Sequence, residues 1–205
     1  MASSFRFILA SQSPRRRDLM RQNGYSFRTV VSDAEEVTGT ATDIRDVVLI
    51  NAWAKCNDVT SKLGQADLSD PEIVVLAADT MVVMDARVYG KPRDLSEAAR
   101  FMRELGGHPH QVLTGVALFH PATTQKHDFV STTTVVLRTM TDDEISDLFQ
   151  RVDPLDKAAG YGYQDAPEIV ASLEGSQTNV MGLPMTQLRQ ELSQCSKLWR
   201  LGGDG

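Results

Sequence analysis

The stretch LASQSPRRR at positions 9–17 sets Ser11, Ser13 and Pro14 immediately before Arg15, Arg16 and Arg17. Ser13 suits a helix N-cap, and proline suits the first helical position, where its missing N–H costs nothing. The first turn of a helix presents free backbone N–H groups and a partial positive charge, so it is a ready anion site. Arginine normally belongs at the opposite end, where it complements the dipole. Three arginines in a first turn therefore imply an anionic partner, and their planar forks match phosphate oxygens. Three arginines alone would be a solvated basic turn. The preceding strand, the Ser-x-Ser turn and Pro14 tip the reading toward phosphate.

The other residues able to do chemistry are Glu35, Glu36, Lys55, Asp79, Lys91 and Gln164. Taken alone, Asp33, Glu35 and Glu36 would be a solvated acidic turn. At the same end of a sheet as Ser11, Ser13, Arg15 and Arg16 they become a different set. Cations would hold phosphate, and carboxylates would hold a divalent metal that completes its shell with water and substrate phosphates. A carboxylate could then deprotonate water while the cations stabilise the leaving phosphates. That is the equipment for hydrolysing a phosphoanhydride. Competing chemistries are weaker. Gly160-Tyr161-Gly162 does not open a helix as GxGxxG would, there is no GxxxxGK[ST] loop, and no GxSxG or Cys–His signature occurs. His108 and His110 flank Pro109 without further ligand support, so a surface pair is expected there rather than a zinc site.

Composition bounds the partners. The 205 residues form one domain, or one domain with a lobe, with 41% hydrophobic and 23% charged residues. A net charge of -6 argues against a nucleic-acid partner, which needs a broad basic face. Cys56 and Cys195 form no CxxC pair, which fits a reducing cytosol. No run reaches membrane-spanning length and no signal-peptide layout opens the chain, so a cytoplasmic protein without membrane association is expected.

The elements that must position these residues follow from pattern. Residues 5–10 read as a strand, the arginine turn starts a helix to Asn23, and Gly24 stops it. Residues 25–31 alternate as a second strand. Thr42-Asp43 caps a long helix to about Leu63 with Val47, Val48, Ile50 and Ala54 on its apolar face and Lys55 near its middle. Residues 64–71 read as a polar loop. EIVVLAAD at 72–79 is a strand buried on both faces that ends in Asp79-Thr80, at the mouth where α/β sheets bind ligands. Lys91 is held between Gly90 and Pro92. Residues 95–105 form an amphipathic helix, 111–119 and 129–137 two neighbouring strands, and Thr141 starts a helix with capping-box spacing. Residues 154–175 are irregular with a strand near 168–173. A last helix spans 185–194, and the tail from 195 is expected to fray. Trp53 and Trp199 read as packing residues.

With these motifs in view, the chain resembles the Maf family of nucleoside triphosphate pyrophosphatases, also associated with septum formation. The resemblance runs from about Phe7 to Leu192. It rests on LASQSPRR at 9–16, AADT at 77–80, GKP at 90–92, LTGV at 113–116, DKAAGYGYQ at 156–164 and NVMGLP at 179–184. The family implies an elongated α/β fold, a mixed twisted sheet flanked by helices with a central cleft. It implies metal-dependent hydrolysis, with magnesium or manganese, of a nucleoside triphosphate to the monophosphate and pyrophosphate. Carried over, Ser11 and Arg16 contact phosphate and Lys55 and Lys91 line the same cleft. Glu36, with Glu35 as its neighbour, joins the metal and water site together with Asp79, the proton acceptor. Arg15, Thr80 and Gln164 match the branch acting on dTTP and UTP, and a Gln amide suits the paired carbonyl and N–H edge of uracil or thymine. Ala159-Gly160 inverts the family's usual Gly-Ala order, and Asp165 replaces a usual glycine. The rival readings are a non-catalytic nucleotide-binding regulator of cell division, and a hydrolase of the same kind directed to purines or 7-methyl-GTP. A homodimer is compatible with the chain, although no sequence feature marks an interface.

Overall fold

A computed structural model describes residues 5–37 and 43–201. Its sheet is mixed and seven-stranded, in the order β2-β1-β3-β5-β6-β7 with β4 pairing to β3 off this path. The strands are β1 (Arg6–Leu9), β2 (Ser26–Thr29), β3 (Ile73–Met84), β4 (Arg87–Tyr89), β5 (Pro109–His120), β6 (Gln125–Leu137) and β7 (Val170–Glu174). The helices are α1 (Pro14–Gln22), α2 (Ile44–Ser61), α3 (Gln65–Leu68), α4 (Leu95–Leu105), α5 (Asp142–Arg151), α6 (Gln177–Val180) and α7 (Met185–Leu201). Strands β1, β2 and β3 are parallel, as helical crossovers require, whereas β3–β4 and β6–β7 are antiparallel. This is the α/β class expected.

The chain divides into two compact units. One comprises residues 1–79, 114–131 and 182–205, and the other residues 80–113 and 132–181. In the first, Ile8 and Ala10 of the β1 segment join Ile73, Val75 and Ala77 of β3 and Ala52, Cys56 and Val59 of α2 in one buried cluster. Side chains alternate across a strand, so the odd-numbered residues of β3 face α2. Asp79 is next in that row. Helix α2 buries Val47, Val48, Asn51, Ala52, Cys56 and Val59, a stripe at helical spacing. Ile50, expected on that face, is half exposed because it falls off the stripe.

The second unit has its own core, in which Phe101, Met102 and Leu105 of α4 pack with Val135 and Leu137 of β6 and Ile145 and Leu148 of α5. The capping box at Thr141 and Glu144 is present. His110, expected at the surface, is buried in β5, its Nε2 lying 2.8 Å from the Tyr161 hydroxyl. Burial lowers its pKa, so the ring is neutral.

Other expectations shift. The polar stretch at 64–71 contains the short helix α3. Strand β3 runs past Asp79 to Met84, and the extended 81–84 stretch pairs with the returning Val88-Tyr89 in β4, as the sequence pattern of those residues implies. Helix α7 runs to Leu201 rather than ending near 194. Trp199 is buried, with its ring stacked on His120 at 5.2 Å and edge-on to Phe5 at 5.5 Å. Asp43 caps α2, while Thr42 and the tail residues 202–205 lie outside the described residues. Among the described residues no helix is long and apolar enough to cross a membrane.

Candidate active site

The arginine turn forms as its residue types dictate. Ser13 is extended and caps α1, its hydroxyl accepting from the Arg16 amide at 3.4 Å, and Pro14 opens the helix. Ser11 is buried directly after β1. Its Oγ accepts from the Ser13 amide at 3.2 Å and from Arg16 Nη1 at 3.3 Å. Arg16 Nε donates to the Gly182 carbonyl at 2.8 Å, and Gly182 has φ of +100°, a conformation that favours glycine. A residue late in the chain thus orients an arginine near its start. Desolvation lowers the Arg16 pKa. The charges of Asp79 and Glu36 oppose that effect and Arg15 adds to it. The guanidinium stays ionised.

The carboxylates meet α2. Lys55 Nζ lies 2.6 Å from Glu36 Oε1 and 2.7 Å from Asp79 Oδ1. Asn51, one turn earlier on the same helix face, donates from Nδ2 to Asp79 Oδ2 at 3.0 Å. The Asp79 carboxylate is only 6% exposed and both its oxygens are held, whereas that of Glu36 is 51% exposed. Register produces this arrangement. The last β3 residue paired with β1 is Leu76, opposite Leu9, so Asp79 stands just past the end of β1, where Ser11 begins the turn. Ser11, Ser13, Arg15, Arg16, Glu35, Glu36, Lys55 and Asp79 all belong to the first unit, with Glu36 rather than Glu35 bonded to Lys55.

Thr80, Lys91 and Gln164 belong to the second unit. There the GKP turn and the DKAAGYGYQ segment are tied together, the Ala159 amide donating to the Gly90 carbonyl at 2.9 Å. Lys91 and Gln164 are both exposed. Lys157 is buried beneath that segment, donating to the Asp153 carbonyl at 2.7 Å and to Asp156 Oδ1 at 2.6 Å, with Asp165 Oδ2 at 3.3 Å. Asp165, a departure from the family pattern, is therefore an ion-pair partner of Lys157. Ala159 and Gly160 both have positive φ, 56° and 77°. Ala159 thus occupies a left-handed backbone region that costs a non-glycine residue about 1–2 kcal/mol.

Sequence reasoning missed Asn51 and Gly182 as contributors. Asn51 was signalled by its spacing, four residues before Lys55 on a face otherwise apolar. The NVMGLP motif gave no cue that its glycine carbonyl would meet Arg16.

Paired cations and carboxylates thus lie beside the N-terminus of α1 on a mixed α/β sheet. The chain belongs to the family of Maf-like proteins, whose sequence profile matches residues 6–195. It is 38% identical over 190 residues to a dTTP/UTP pyrophosphatase of Bacillus cytotoxicus, covering 92% of this chain and 95% of that protein. It is 37% identical over 195 residues to one of Vibrio parahaemolyticus, covering 95% and 99%. With the dTTP/UTP pyrophosphatase of Salinibacter ruber it shares 39% identity over 187 residues, covering 90% and 88%.

Proposed function

We propose that this chain is a nucleoside triphosphate pyrophosphatase that converts dTTP and UTP to the monophosphate and pyrophosphate. The observation that carries the reading is the Asp79 carboxylate, buried and held through both oxygens by Lys55 and Asn51, with Glu36 on the same lysine. A carboxylate fixed in this way is oriented to take a proton from water attacking the α-phosphorus. The water oxygen bonds to that phosphorus, the bond to the α–β bridging oxygen breaks, and pyrophosphate leaves with the bond's electrons. Arg16, with Ser11 and Ser13 at the α1 N-terminus, holds phosphate oxygens and offsets the charge that accumulates on the leaving group.

The donor set also suits magnesium or manganese. Glu36 and Asp79 already converge on one cationic centre, the Lys55 ammonium, and such ions use few protein carboxylates. Glu36 and Asp79, with Glu35 adjacent, would hold the metal, which when bound draws charge from the phosphates. Lys91 contributes a further cation. Arg15, Thr80 and Gln164 select the base, the exposed Gln164 amide offering a donor and an acceptor to a pyrimidine edge. The acidic net charge supports a small-molecule partner rather than nucleic acid or a membrane, and the thiol usage supports a cytoplasmic setting.

Pyrophosphate release from dTTP, UTP, CTP, ATP, GTP and 7-methyl-GTP, with magnesium or manganese, tests the reading. Release concentrated on dTTP and UTP is expected. Release from purines or 7-methyl-GTP alone would keep the reaction and reject the base assignment. Nucleotide binding without release would favour the regulator.

A further inference from the structure

Asn51 sits on α2 among apolar neighbours, 1% exposed, where a polar side chain is costly unless fully bonded. It is bonded at both ends. Its Oδ1 accepts from the Val37 amide at 2.8 Å, and its Nδ2 donates to the Val37 carbonyl at 3.2 Å. The same Nδ2 donates to Asp79 Oδ2 at 3.0 Å. The amide thus grips both backbone groups of one residue, as a neighbouring strand would, at a point where Val37 lies in no strand. Val37 follows Glu36, and Glu36 and Asp79 share Lys55. Besides Asn51, the Lys55–Glu36 ion pair ties the 35–37 segment to α2, and its glutamate end is 51% exposed, so solvent screens that contact.

We infer that Asn51 is a positioning residue that locks the Glu35-Glu36-Val37 segment and the Asp79 carboxylate into one rigid frame. The inference rests on the pyrophosphatase reading above. Lys55 supplies the charge that joins Glu36 to Asp79, and Asn51 supplies the direction. A single amide with two functions on one face is a specific device. Its acceptor holds the Val37 amide, and its donor group is shared between the Val37 carbonyl and the Asp79 carboxylate. Asn51→Leu removes both while keeping the number and branching of the side-chain heavy atoms. Asn51→Asp keeps the acceptor for the Val37 amide, removes the donors to the Val37 carbonyl and Asp79, and sets a second carboxylate against Asp79.

The experiment measures dTTP or UTP turnover together with hydrogen exchange at the Val37 amide in the full chain. Asn51→Leu should lower kcat about 10–100-fold, the usual cost of losing a supporting hydrogen-bond partner, with KM changed less than about 3-fold. Exchange at Val37 should accelerate while α2 amides elsewhere stay protected. Asn51→Asp, which keeps the acceptor for the Val37 amide, should accelerate Val37 exchange less than Asn51→Leu while still losing kcat, and the fall in kcat at nearly constant KM in Asn51→Leu is the readout that a merely structural asparagine would not give. If Asn51→Leu does not fold, Asn51→Asp and Asn51→Ser carry the same comparison. A kcat within about 2-fold of wild type in the folded variants, or unchanged Val37 exchange in Asn51→Leu or Asn51→Ser, would overturn the inference and leave the pyrophosphatase reading standing. Wild-type protein that hydrolyses no nucleotide would overturn both.

Discussion

At the scale of single residues, Lys55 is the hinge of the electrostatics. Its ammonium bonds Asp79 and Glu36 at once, and Asp79 is the buried partner. Removing one member of a buried pair strands the other, which costs more than the pair contributes. Lys55→Met should therefore destabilise the fold by about 2–4 kcal/mol in urea denaturation. Asp79→Asn should cost less, because Lys55 keeps Glu36. The double variant Lys55→Met with Asp79→Asn should be more stable than the sum of the single losses implies, as expected for groups in direct contact. Strict additivity would show that the three charges do not act as a unit. All three variants should lose activity, since each removes a group from the proposed catalytic set.

At the scale of elements, the LTGV motif acquires a physical reason. A Cβ on Gly115 of β5 would lie 2.6 Å from the backbone carbon and oxygen of Val48 and 2.9 Å from the amide of Leu49. The absence of a side chain lets α2 lie directly on the sheet, and α2 carries both Asn51 and Lys55. Gly115→Ala must push the helix away. It should cost about 1–3 kcal/mol in urea denaturation and lower turnover more than its distance from the phosphate groups suggests. Full stability and activity would contradict this account of the motif.

Much of the element pattern was readable in the residues themselves. Ser13, Pro14, the Thr141 capping box and the continuous apolar run of β3 each carry local signals that fixed their elements. The charged motifs carried the family resemblance, which the profile match over residues 6–195 bears out. What stayed hidden depends on contacts distant in sequence. The grip of Asn51 on Val37, the Gly182 carbonyl on Arg16 and the extension of α7 through a buried Trp199 all arise from packing that no local pattern encodes.

At the scale of the whole molecule, both cysteines are packing groups. Burial pushes the Cys56 thiol up to about 12 and the Cys195 thiol up to about 11. Both should resist thiol reagents in the native protein near pH 8 and react on unfolding. Because their folded values lie above the ordinary value of 9.0, the stability linked to them is present below that pH. It is lost as pH rises through about 11 to 12, where the unfolded chain has already ionised. Rapid labelling of the folded protein near pH 8 would contradict this.

Each of the two compact units carries part of the recognised motif set, the phosphate and carboxylate residues in one and Lys91 and Gln164 in the other. The proposed role of Asp79 is to direct water to the α-phosphorus of a pyrimidine nucleoside triphosphate. Hydrolysis of UTP in heavy-oxygen water, with the wild-type protein and with Asp79→Asn, tests it most directly. The account predicts heavy oxygen in the UMP phosphate, unlabelled pyrophosphate, and loss of turnover in the folded variant. Label in the pyrophosphate, or full turnover by Asp79→Asn, would contradict it.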